Sequence, residues 1–140
     1  MSYLSQVKKP TPQAPVTTIV GFAGSGKSSL AGLFPSPIFI QAENATSVFE
    51  TMPEDLQPAF FPQLPIANAK RNIKTSEVLF EQLRELMTVE HGFKTVVIDS
   101  ITAINIMFEN EVVEFDDKGA SNIGEAAGGY NKGYLVVAGM

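Results

Sequence analysis

The eight residues GFAGSGKS at Gly21–Ser28 constrain the fold of this chain more than any other stretch. They fit the pattern G-x-x-x-x-G-K-[ST] in full. Gly21, Gly24 and Gly26 open the turn to backbone angles that a Cβ would forbid. Val16–Val20, just before it, is a β-branched run and predicts a buried strand. Lys27–Phe34, just after it, is apolar on one side and stops at Pro35, which predicts a short helix. The chain is thus committed to a strand, a tight turn and a helix in immediate succession.

Such a turn points successive backbone N–H groups inward as an anion nest. The helix that follows adds partial positive charge at its N-terminus. Phe22, Ala23 and Ser25 contribute backbone from the variable positions, and Ser29 extends the helix start. Lys27 suits the β- and γ-phosphates of a bound ATP, and the Ser28 hydroxyl suits Mg²⁺. The predicted nucleotide-binding set is Gly21, Phe22, Ala23, Gly24, Ser25, Gly26, Lys27, Ser28 and Ser29. The plain alternative is a strand–turn–helix corner, but a corner needs neither the Lys nor the Ser.

Further elements follow in alternation. Pro37–Ala42 (PIFIQA) predicts a second strand. Glu43–Pro65 carries Pro53, Pro58, Pro62 and Pro65 and predicts irregular chain, with a short helix near Ala45–Met52. Leu64–Asn68 predicts a weaker strand. Thr75 or Ser76 can cap a helix whose apolar stripe is Val78, Leu79, Leu83, Leu86 and Met87, ended by Gly92. Lys94–Asp99 is the clearest strand. Ile101 to about Phe115 predicts a helix with Ile101, Ile104, Met107 or Phe108, Val112 and Phe115 inward. Asp116–Gly129 predicts a loop, and Tyr130–Ala138 a last helix or strand. Alternation of strand and helix argues for an α/β fold with a mainly parallel sheet flanked by helices.

In such a sheet, ligands gather at the carboxyl ends of the strands. Two carboxylates end strands here. VVIDS closes on Asp99, suited to holding Mg²⁺ beside Ser28; the bland reading of Asp99 is a helix cap, a task that Ser100 fills equally well. IFIQAE closes on Glu43, placed to orient and deprotonate an attacking water; the bland reading is a solvated loop glutamate. The predicted catalytic residues are Glu43 and Lys27, and the metal residues Ser28 and Asp99. Asn44 ranks below Glu43. His91, the sole histidine, sits at a helix end, where capping explains it.

Composition sets outer limits. The chain has 140 residues, enough for one domain with a core. It lacks cysteine, which removes disulfides, thiolate metal sites and cysteine nucleophiles. The net charge of −5 leaves only a local basic patch, Lys70, Arg71 and Lys74, for any nucleic-acid contact. No long apolar run predicts a membrane span. Residues 1–15, with Pro10, Pro12 and Pro15, predict a flexible N-terminal arm, leaving 16–140 as the folded domain.

GFAGSGKS, IFIQAE and VVIDSITAI, in that order, resemble the RecA-type ATPase core, where the first and last are the Walker A and Walker B motifs. HGFKTVVIDSITAI followed by GGYNKGYLVVAG further resembles phage-encoded RecA-like ATPases, short recombinases linked to single-strand annealing. The resemblance implies ATP and Mg²⁺ as cofactors, Asp99 as the Walker B acid and Glu43 as the glutamate that activates water. It implies single-stranded DNA as a partner, a homo-oligomer with ATP at subunit interfaces, and location in the host cytoplasm. Lys132 lies in the segment Tyr130–Tyr134, which matches the family without a clear role. Gln41 departs from the family, where an acidic residue precedes the glutamate. The family also places a further strand between its Walker A and Walker B strands. The chain is therefore expected to be the N-terminal part of a RecA-like core, with C-terminal strands missing. A non-catalytic nucleotide-binding module is the alternative. A small-molecule P-loop kinase is a weaker one, because only Arg71 and Arg84 are available to grip a transferred phosphate.

Overall fold

The computed structural model describes residues 13–140. Its helices are α1 (Lys27–Ala31), α2 (Thr75–Thr88), α3 (Ile101–Glu114) and α4 (Lys132–Ala138). Its strands are β1 (Pro37–Gln41), β2 (Ala59–Phe60) and β3 (Thr95–Asp99). The three strands form one parallel sheet in the order β2-β1-β3. The predicted α/β class with a parallel sheet is what the chain adopts.

The central strand shows why. In PIFIQ every residue after Pro37 is buried, as expected for a parallel strand covered on both faces. Phe39 and Ile40 are adjacent and both fully buried, so they point to opposite faces and seed two cores. Phe39 joins Ala31 and Phe49, with Ile19, Phe60 and Val97 against them. Its ring lies 5.5 Å from Phe49 and 5.1 Å from Phe60, centroid to centroid. Ile40 joins Ala42, Leu64, Leu79, Ile104 and Phe108, so α2 and α3 cover that face. Burying side chains of this size stabilises by about 1.5–3 kcal/mol each.

β2 is shorter and earlier than the strand expected at Leu64–Asn68. The chain still tracks β1 beyond it, because Phe61 N–H donates to Phe39 O and Leu64 N–H to Gln41 O. Pro62 and Pro65 supply no N–H, so the ladder breaks there. Gln41, buried, repairs part of the gap by donating from Nε2 to Phe61 O at 2.8 Å.

Other boundaries shift for local reasons. α1 ends at Ala31, three residues before the expected stop, and Gly32 packs where a Cβ would meet the Phe49 ring. Only a single 3₁₀ turn, Thr46–Val48, forms where a short helix was expected. Along α2, Leu79 is buried and Val78 and Leu83 pack on the core, but Met87 is exposed. Along α3, Ile104, Phe108 and Val112 face inward as expected, whereas Ile101 is exposed. Tyr130–Ala138 resolves as helix α4 from Lys132.

The largest difference concerns Val16–Val20. These residues are not in a strand, and Val16 and Val20 are almost wholly exposed. Their β-branched side chains favour extended backbone, but a strand also needs a neighbour about 4.8 Å away. Only Ile19 tucks in, against the Phe39 cluster. Among the described residues β3 is an edge strand, with Val96 and Ile98 substantially exposed. Residues 1–12 of the expected N-terminal arm lie outside the described residues; 13–15 are exposed and without regular structure.

Candidate functional site

The turn at Gly21–Ser28 has the backbone its sequence requires at two of its three glycines. Gly24 and Gly26 hold φ of 73° and 84°, the left-handed region that a side chain resists. Gly21 does not. A Cβ there would meet Ser25 Oγ at 2.6 Å, so a larger residue would require that hydroxyl to rotate. Gly26 is the residue from which α1 starts, and Leu30 N–H already donates to its carbonyl. No side chain caps α1, so its first N–H groups stay directed at the turn.

Lys27 folds back over the turn. Its Nζ donates to Gly21 O at 3.0 Å and to Phe22 O at 2.8 Å. The cation thus sits over the carbonyls of its own turn. Phe22, Ala23, Ser25 and Ser29 are exposed around it.

Ser28 leaves α1 toward the sheet. Its Oγ donates to Asp99 Oδ2 at 2.6 Å, joining the turn to the end of β3 across 71 residues of chain. Both are hard oxygen donors of the kind Mg²⁺ takes, and both are partly accessible, so this pair fits the ion. The Asp99–Ser100 peptide bond is cis.

Glu43 reaches the same place from β1. Ala42 N–H and Glu43 N–H both donate to Asp99 O, at 2.9 and 3.3 Å, which fixes the end of β1 beside the end of β3. The Glu43 carboxylate then accepts from Ser100 Oγ at 3.2 Å. Ser100 also caps α3, its Oγ accepting from Ala103 N–H. A continuous chain of contacts therefore runs Ser28–Asp99–Ser100–Glu43. Ser28, Asp99 and Glu43, singled out at distant points of the sequence, are linked by these contacts at the carboxyl edge of one sheet, whereas the Lys27 ammonium stays on its own turn. Ser100 was expected only as a helix cap; its second role depends on a contact across 57 residues that no local pattern encodes.

The lower-ranked residues find other work. Asn44 Oδ1 accepts from Thr46 N–H and Thr46 Oγ, closing its own turn. His91 takes Phe93 N–H at Nδ1 and approaches Leu86 O through Nε2 at 2.8 Å, closing the end of α2. Lys74 forms an ion pair with Glu77 at 3.0 Å and stacks 5.4 Å from the Phe115 ring centroid. This leaves Lys70 and Arg71, on an exposed turn tied to α3 by Ala69 N–H donating to Glu114, as the free part of the basic patch. Lys132 is exposed at the start of α4. Next to it Gly133 sits so close to Ile123 that a Cβ would lie 2.3 Å from the Ile123 carbonyl oxygen.

Among the described residues no helix is long and apolar enough to cross a membrane. No curated protein and no solved structure matched the chain in the comparisons made. A family model described as an AAA domain does match, over residues 13–138, a span that includes the turn, Glu43 and Asp99. With that match and a P-loop set at the edge of a parallel α/β sheet, the chain belongs to the AAA domain family of P-loop ATPases.

Proposed function

We propose that this protein is a Mg²⁺-dependent ATPase of the RecA-like kind, acting on DNA in phage recombination or single-strand annealing. One observation carries the catalytic part: the 2.6 Å contact of Ser28 with Asp99, extended through Ser100 to Glu43. It supports reading Ser28 and Asp99 as a metal-binding oxygen pair and Glu43 as a carboxylate base at one edge of the sheet.

Each residue then has a task. The backbone of Gly21–Gly26 receives the phosphates, and Lys27 turns from its two carbonyls to the β- and γ-oxygens. Ser28 and Asp99 would hold Mg²⁺, which would supply charge neutralisation for the phosphate oxygens. Glu43 orients a water in line with the γ-phosphorus and takes its proton.

The DNA-directed part rests on the phage recombinase resemblance and on exposed Lys70 and Arg71. The same resemblance supports a homo-oligomer and a place in the host cytoplasm. The unpaired edge of β3 and the exposed Val16 and Val20 support reading residues 16–140 as part of a larger sheet. They also favour a second reading, a module that binds nucleotide without turning it over.

ATP hydrolysis measured with and without single-stranded DNA separates these readings. Turnover stimulated by DNA is the expected result. Binding without turnover selects the non-catalytic module. Phosphate transfer to a nucleoside or sugar in place of water would make the protein a kinase and overturn the proposal.

A further inference from the structure

Ser100 uses both capacities of its hydroxyl. The oxygen accepts from Ala103 N–H at 3.2 Å, and the single hydrogen is donated to Glu43 Oε1, also at 3.2 Å. A cap bond fixes a side chain's rotamer, because the oxygen must stay over the first helical turn. The cap therefore aims the hydrogen at Glu43. The carboxylate it meets is otherwise loosely held. Glu43 is exposed, stands in the loop just past β1, and has Ser100 as its only side-chain hydrogen-bond partner among the described residues.

We infer that Ser100 is the positioning residue for the water-activating carboxylate: it couples the start of α3 to the orientation of Glu43. This inference rests on Glu43 being the base, as proposed above. Ser100 itself touches neither water nor phosphate in this scheme. Its contribution is angular. A glutamate has three rotatable bonds, and a base contributes about 10²–10⁴-fold only when it lies within hydrogen-bond reach of the proton it removes. Small displacements from a productive geometry carry large rate penalties.

A merely structural cap would give a different set of effects, and a double-mutant cycle separates the two. Steady-state ATPase rates are measured per nucleotide-binding site, so that only folded protein is counted. Ser100→Ala is expected to lower kcat about tenfold, inside the range a positioned base supplies, with KM for ATP within about twofold of the parent, the small change expected when transition-state interactions alone are lost. Ser100→Thr, which keeps both hydrogen bonds, is expected to restore the rate. Ser100→Asp keeps the acceptor for Ala103 but offers Glu43 no hydrogen, so it is expected to be as slow as Ser100→Ala. In a Glu43→Ala background, Ser100→Ala is expected to change the residual rate less than about twofold, since its effect runs through the missing carboxylate. A full tenfold loss in that background, or a parental kcat for Ser100→Asp, would overturn the inference. A parental kcat for Glu43→Ala alone would instead remove its premise, which keeps the two failures distinct.

Discussion

At the residue scale the site depends on single polar contacts in a largely exposed setting. Lys27 illustrates the point. Its ammonium already makes two hydrogen bonds to carbonyls of its own turn, so a bound triphosphate must outcompete them. It does so because phosphate oxygens are charged and add a Coulombic attraction to the ammonium that neutral carbonyls lack. Glu43→Gln is expected to preserve nucleotide affinity while lowering kcat by at least about a hundredfold, the lower bound for loss of a general base. Affinity measured by equilibrium binding and turnover measured by phosphate release check the two halves separately. Normal hydrolysis by this variant would place the base elsewhere. Ser28→Ala is expected to remove the contact with Asp99 and to abolish the Mg²⁺ dependence of ATP binding, which titration of the metal at fixed nucleotide would reveal.

The elements are held by carboxylates as much as by apolar stripes. Glu111 on α3 is buried and accepts from both the backbone N–H and the hydroxyl of Ser76, so it caps α2 from a neighbouring helix. This explains how α2 starts at Thr75 although its own N-cap residue, Lys74, offers no acceptor. Glu111→Ala leaves two buried donors without partners, at a cost of about 1–3 kcal/mol for each such group. Chemical denaturation is expected to show a midpoint shift of that order without a change in nucleotide affinity. Asp116 does the same for the loop after α3. It accepts from the N–H groups of Lys118, Ala120 and Ala127, and these bonds, chiefly those from Ala127 and Ala120, hold its carboxyl below the usual carboxylate range. A depressed folded pKa means that the loop's order is fully present above the ordinary aspartate value and is lost as pH falls through the lower one. Amide exchange at Ala120 and Ala127 is expected to stay slow down to the ordinary carboxylate range and to accelerate only below it. Acceleration already near neutrality would show that Asp116 does not organise this loop.

At the scale of the whole molecule, strand and helix alternation was legible in the sequence because its signals are local. Glycine and lysine spacing defined the turn, PIFIQ and TVVID announced strands, and Ser100 marked a helix start. That Asp99 and Glu43 lie near each other was expected from one general rule, that parallel strands gather ligands at their carboxyl ends. The Val16–Val20 strand failed because pairing is a property of two segments, and propensity describes only one. β2 was misplaced because proline interrupted a ladder that continues on either side of it. Ser100 and Glu111 were read as a local cap and an unremarked helix residue because their partners lie far away in sequence. Among the described residues, the edge position of β3 and its exposed Val96 and Ile98 are the clearest property of the sheet.

Every role proposed for Lys27, Ser28, Glu43 and Asp99 depends on Gly21–Ser28 receiving a triphosphate. Equilibrium binding of ATP in the presence of Mg²⁺, compared between the parent chain and Lys27→Ala, tests this most directly. A hydrogen bond to a charged group contributes about 1.5–3 kcal/mol, so the variant is expected to bind roughly 10- to 150-fold more weakly. Equal affinity in the two proteins would contradict the account.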